Sequence, residues 1–305
     1  MTRRAWALFG TISLLWGLPY LLIKVAIAEL DPSVIVFARV VMSAIVLLPV
    51  ALVRGALPLM LVRWRAVLAL AVLEIVAPFL LIAYGETHIT SALAGLLIAA
   101  DPLFIALLAL RLDRSEGLSG LRLMGLLLGF SGVVALLGLD LRGDALGLVG
   151  AGLVLLAALC YAGGALLIKR SFSDVSPVGS VAASLTIAAI PLAILAASHV
   201  PDHAPSAPVV VSVLVLGLAC TAFGFLTYFS LIAEAGATSA ALITYVNPAV
   251  AVVLGALVLS EPITPATIAG FACILLGCWL STGGRLPRRA RARPVVLRPG
   301  IDVSD

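Results

Sequence analysis

Hydrophobic residues gather into long runs along this chain, with most of the charge, proline and glycine falling between them. Neither a period of two nor one of 3.6 stands out, as expected where a helix is apolar on every side. The runs lie near 5–28, 33–53, 66–85, 91–111, 120–139, 146–168, 178–198, 208–232, 237–259 and 265–283. Each approaches the ~20 residues a helix needs to cross the hydrocarbon layer. Short connections make neighbouring helices antiparallel, and ten crossings return both termini to one side. The pattern predicts an all-α polytopic membrane protein with ten transmembrane helices.

Composition narrows the class. The 305 residues are 63% hydrophobic and 11% charged, with mean hydropathy +1.22; soluble domains average about 45–50% and about 25%. A water-soluble surface cannot be covered with so few charges, which excludes a soluble enzyme or nucleic-acid binder. The net charge of +4 has another origin. With the N-terminus cytoplasmic, sixteen of the 19 basic residues fall in cytoplasmic segments, among them Arg3, Arg4, Arg54, Arg63, Arg65, Arg111, Arg114, Arg122, Lys169 and Arg170. That bias predicts both termini inside. Thr2-Arg3-Arg4 before an apolar run imitates a secretory leader, but Pro19 and Lys24 interrupt the run, and it reads as the first span. The Arg- and Pro-rich tail at 285–305 reads as a disordered cytoplasmic strip. Cys160, Cys220, Cys273 and Cys278 sit inside apolar runs without metal-site spacing, so no metal is expected.

The chain also repeats itself. Leu21-Leu22-Ile23-Lys24 returns 145 residues later as Leu166-Leu167-Ile168-Lys169. Ser115-Glu116-Gly117-Leu118-Ser119 returns as Ser260-Glu261-Pro262-Ile263-Thr264, and Gly125 and Gly132 as Gly270 and Gly277. Asp101-Pro102 aligns with Asn247-Pro248. Five spans per copy is an odd number, so the second copy enters the membrane upside down. Inverted repeats of this kind build secondary transporters, with the binding site between the halves. The expected division is 1–140, 141–284 and the tail.

On these residues the chain resembles the EamA-type carriers of the drug/metabolite transporter superfamily, over about residues 5–283. The resemblance rests on Leu15-Trp16-Gly17, Thr90-Ser91-Ala92, Asp101-Pro102, Asn247-Pro248 and Leu259-Ser260-Glu261-Pro262-Ile263-Thr264. It implies ten helices in two repeats and export of amino acids or other small metabolites. Many relatives carry Glu where this chain has Asn247, so a scheme needing a carboxylate there does not transfer.

Polar groups inside spans demand an explanation, because each is costly in lipid unless it faces protein or water. At ~1.5 Å per residue, Asp101 lies about 15 Å into span 4 and Glu74 about 12 Å into span 3, both near the midplane. They are candidates for binding a substrate amine or a coupling proton, or else structural acids paired with Arg39 or with a carbonyl freed by Pro102. Arg39 is a candidate for a substrate carboxylate or an internal counter-ion. Asn247 and Tyr245 are expected to make neutral hydrogen bonds, and Tyr228 and Trp16 to line the cavity, the alternative being close helix packing. Lys24 is expected to snorkel toward water.

Gly129-Phe130-Ser131-Gly132 spells a protease-like serine motif, but His88, His199 and His203 lie in exterior loops, away from Ser131. It reads as glycine packing, and no enzyme is expected. Without a nucleotide-binding loop the chain cannot pump with ATP. The expected function is a secondary carrier in a prokaryotic plasma membrane that exports small metabolites by alternating access and needs no cofactor. Its partners are the substrate, the bilayer and protons; a lipid or lipid-linked flippase on the same fold is the alternative.

Overall fold

The computed structural model describes residues 1–112, 120–140 and 144–281, and within them every regular element is helical. Glu116, Arg114, Arg142 and the 285–305 tail lie outside the described residues. Eight helical units are long and apolar enough to cross a membrane: α1 (Arg3–Ala26), α2 (Pro32–Val53), α3 (Trp64–Gly85), α4 (Ser91–Ala109), α5 (Gly120–Gly138), α6 (Ala145–Ser171), α7 (Pro177–Ala197) and α8 (Ala207–Ala235). Two shorter apolar helices follow, α9 (Ile243–Leu259) and α10 (Pro265–Ser281). Each of the ten runs thus forms a helix, and eight of the ten reach spanning length.

Local chemistry sets the boundaries. Thr2, Asp31, Thr90 and Asp144 accept from backbone N–H groups of the first turns of α1, α2, α4 and α6, the usual cap for otherwise unbonded donors. Gly236 (φ 82°) ends α8 and Ser260 (φ 55°) ends α9, both in left-handed backbone.

Proline explains the internal breaks, since it lacks an N–H and crowds the carbonyl four residues back. α1 is interrupted between Gly17 and Pro19. In α4, tight bonds Ala100 N to Leu97 O and Leu103 N to Ala100 O, both 3.1 Å or less, surround Pro102. The same tightening precedes Pro248, where Thr244 N bonds Ala241 O at 3.2 Å and Tyr245 N bonds Leu242 O at 3.1 Å. The predicted ninth run, 237–259, is accordingly divided into a single turn, Ala237–Ala240, and α9.

The principal helix contacts join the first five helices to the last five, in a two-fold pattern. α2 packs on α7, α4 on α9 and α5 on α10, while α3 on α6 is matched by α8 on α1. Glycines set the closest of these. A Cβ on Gly132 would lie 2.6 Å from Gly270 O, one on Gly125 would lie 2.8 Å from Gly277 O, and Gly277 meets the backbone of Gly129. Since Gly125 and Gly132 are the repeat partners of Gly270 and Gly277, the two glycine contacts exchange under the repeat. The Gly129–Gly132 segment is helix packing, as expected, and the Ser131 hydroxyl bonds Leu128 O of its own helix. Large apolar side chains such as Ile45, Ile190, Ile194 and Leu257 face outward.

Small residues at such crossings let backbones meet, and overpacking them costs about 1–3 kcal/mol. Gly277→Ile should lower the apparent Tm in detergent by about 5 °C. Gly138→Ile, where a Cβ has open space, should leave it unchanged.

Candidate functional site

Two stretches depart from α geometry toward wide π-helical turns: Ala71–Val76 in α3 and Val215–Phe223 in α8. The repeat offset of 145 carries the first onto 216–221, inside the second. In α3 the shift precedes Pro78; Ala77 N bonds Val72 O, five residues back, and the wide turn sets Glu74 against Gly164 of α6, where no larger residue would fit. Turns of this kind recur at functional sites.

In α8 carbonyls of the wide turn accept from side chains of the other repeat. Trp16 Nε1 donates to Cys220 O at 3.1 Å, and Ser43 Oγ donates to Gly217 O at 2.8 Å. Thr221 Oγ1 donates to Leu216 O and accepts from Arg39 Nε at 2.7 Å. The Arg39 guanidinium, 8% exposed, lies 3.9 Å over the Phe79 ring. It pairs with neither carboxylate among the described residues, so the expected Arg39 ion pair is replaced by a hydroxyl and a ring face.

Glu74 and Asp101 share one polar centre. Glu74 lies within electrostatic reach of Asp101, and Tyr161 within reach of Arg39, Tyr20, Glu74 and Asp101. Tyr228 reaches both acids and stacks at 4.8 Å on Trp16, which meets Phe225 edge-on. Glu74, Asp101, Tyr161, Tyr228 and Trp16 are all half-buried, and Asp101 Oδ1 has no hydrogen-bond partner.

The structure therefore gathers Glu74, Asp101, Arg39, Tyr228 and Trp16. Asn247 is committed elsewhere: in the amide orientation that satisfies it, its nitrogen donates to Ile243 O at 3.1 Å and Ser13 O at 3.2 Å, tying α9 to α1. Tyr245 is half-buried against the apolar core. Lys24 does not snorkel; its Nζ donates to Glu86 O at 2.6 Å and Ile89 O at 2.8 Å. Helical spacing places Tyr20 and Thr221 on polar stripes of spans 1 and 8, but sequence reasoning missed Thr221 as the Arg39 partner and passed over Glu86. Both matter through residues distant in sequence.

Both ends of the bundle are tied across the repeats. At the end holding the N-terminus, Arg63 makes a two-toothed pair with Asp174 at 2.6 and 2.7 Å, whose hydrogen bonds hold the exposed Asp174 carboxyl below its usual range. Thr2 Oγ1 donates to Glu234 at 2.8 Å. At the opposite end Glu261 caps α4, accepting from Ser91 N at 2.8 Å, Ser91 Oγ at 3.0 Å and Ala92 N at 2.9 Å. A carboxylate suits the positive end of the helix dipole. Glu29 accepts from Ser206 N and Oγ at 2.7 and 2.6 Å, bonds that lower its carboxyl pKa.

An apolar helical bundle, paired two-fold across its halves around ionisable groups, defines a multi-pass membrane transport protein. The EamA-like transporter family matches residues 4–138 and again 148–283, and the chain belongs to that family. The transporter class, as against an enzyme of the bilayer, follows from this membership. The chain is 26% identical to the uncharacterized transporter YvbV of Bacillus subtilis (strain 168), over 95% of each chain. It is 24% identical to an uncharacterized transporter of Archaeoglobus fulgidus, over 91% of this chain and 98% of that one. It is 25% identical to the uncharacterized inner membrane transporter YedA of Escherichia coli (strain K12), over 96% and 97%. A solved crystal structure, 19% identical, superposes with TM-score 0.63 over 92% of this chain and 97% of the other, a likeness of fold.

Thr221→Val removes the hydroxyl that receives Arg39 and should cost about 1.5–3 kcal/mol, the range for a hydrogen bond to a charged group. Thr221→Ser should restore most of it. Thermal unfolding of the three proteins in nanodiscs measures both.

Proposed function

We propose that this transporter is a ten-span secondary carrier of the plasma membrane, with both termini cytoplasmic and two inverted repeats at 1–140 and 141–284. The cargo is a small polar or amphipathic metabolite such as an amino acid, moved outward. The two-fold contact pattern and the inner-membrane relative support the architecture; the direction rests on family resemblance.

One observation supports the site: Glu74 lies within electrostatic reach of Asp101, both half-buried inside the bundle, with Tyr161 and Tyr228 in reach of both acids. Two acids in one low-water region favour holding a proton or receiving an amine. Glu74 and Asp101 bind proton or amine, Tyr228 and Trp16 bound the space, and Arg39 serves as the internal counter-ion or receives a substrate carboxylate. Tyr245 offers a neutral hydrogen bond, and Asn247 keeps α9 on α1. Rocking the halves would release the Glu261 and Glu29 ties in one state and the Arg63 and Thr2 ties in the other.

A second reading, a lipid or lipid-linked cargo, draws on another feature. A 540 Å³ apolar groove lies between α2, the short helix Pro58–Val62 and α7. A 730 Å³ notch with Arg63, Arg65 and Arg170 adjoins it, and both are lined by Trp64.

The test is flux from proteoliposomes loaded with a panel of amino acids and metabolites, with and without a pH gradient. Gradient-dependent flux in the native protein, abolished or uncoupled in Glu74→Gln at unchanged folded yield, is the expected result. Normal proton-coupled turnover in that variant would remove Glu74 from the site. Flux of lipid alone would favour the second reading.

A further inference from the structure

Glu86 is the first residue beyond α3, at the end of the bundle closed by Glu261 and Lys24. It is 0% exposed, and neither carboxylate oxygen has a hydrogen-bond partner. Lys24 is near, yet its ammonium donates to the backbone carbonyls of Glu86 and Ile89. Two acids nearer solvent at this end are bonded, Glu29 to Ser206 and Asp31 to Ser33. A completely buried, unbonded carboxylate is the arrangement an ionised acid avoids and a neutral one tolerates.

The charged and titratable surroundings are these. From α1 come Lys24 and Tyr20; from α2, Arg39; from the segment before α10, Glu261. α6 turns Gly150 and Val154 toward Gly85, with no titratable group there, and His88 on the same turn is exposed. Tyr84, two residues earlier, donates to Asp31 at 3.3 Å. Burial holds the Glu86 carboxyl well above the usual carboxylate range, opposed by Lys24 and Arg39 and reinforced by Glu261.

We propose that Glu86 is a second proton-binding site, distinct from the central acids, whose protonation closes this end of the transporter. In the closed state Glu86 keeps its proton and stays buried. When α3 and α4 part from the Glu261 segment of the other half, water reaches the carboxyl, the proton leaves to it, and the ion resists reburial until a proton returns. The assignment rests on the carrier reading for its place in a transport cycle, but not for its chemistry. The sign follows from linkage. The closed state is favoured in full below the open-state carboxylate value of about 4.3. That preference falls as pH rises, by up to about tenfold in the closed-to-open ratio per pH unit, until the closed-state value is passed.

Cysteine accessibility in nanodiscs reads this without a substrate. Ile89, 4% exposed, is replaced in Ile89→Cys, and its labelling rate by a water-soluble maleimide is followed from about pH 5.5 to 8. Each rate is divided by that of the exposed control Thr87→Cys, which cancels the thiolate fraction. With Glu86 present the ratio should climb by up to about tenfold per pH unit. In Glu86→Gln and Glu86→Leu backgrounds it should stay low and flat. A flat ratio in the native background, or the same slope in both variants, would overturn the proposal. Hydrogen exchange of residues 86–93 in the protein without reporter cysteines gives the same reading should Ile89→Cys fold poorly. Flat labelling beside Glu74-dependent flux would remove Glu86 and leave the carrier. Glu74-independent flux would remove the central site and leave labelling to judge Glu86.

Discussion

A peptide carbonyl in the hydrocarbon layer has no water to bond, and the architecture of this transporter answers that constraint. Helices satisfy most of the backbone. At the wide turn of α8 the carbonyls of Gly217 and Cys220 accept from Ser43 and Trp16 of the other half. Arg39 meets the same difficulty as a buried cation and is held by Thr221 of that turn and the Phe79 ring. The irregular backbone and the charge thus stabilise each other, and both bind α8 to α1 and α2.

This mutual satisfaction shapes the site. In α3 the matching wide turn receives no such set of side chains; instead it presents Glu74 to Gly164, near Asp101 and the tyrosines. One turn joins the halves, while its repeat partner carries an acid. The two copies have diverged: Glu74 corresponds to Ala219, and Arg39 to Ser184, whose hydroxyl has no partner. The ties at both ends, made by Arg63, Thr2, Glu261 and Glu29, also cross between the halves.

Much of the fold was legible in the sequence. The apolar runs became helices, eight of them long enough to span, and the repeated glycines at 125, 132, 270 and 277 lie where α5 and α10 pack closely. Glu74 and Asp101 stood out because a carboxylate inside an apolar run has few explanations. The partners were not legible. The alternative in which Arg39 pairs with a buried acid gives way to Thr221; Lys24 was expected in water and holds two carbonyls; Glu86, which no pattern singled out, is completely buried.

The sequence by itself determined which segments leave water and which polar residues go with them, because transfer into lipid depends on composition over about 20 consecutive residues. Tertiary structure alone decided which polar groups meet. Hydrogen bonds and ion pairs depend on atoms within about 3 Å, and here those atoms come from segments separated in sequence by 53 residues in one case and 204 in another. The wide turns of α3 and α8 rotate the following side chains by a fraction of a helical turn, enough to decide whether an acid faces a partner or a space left for a ligand.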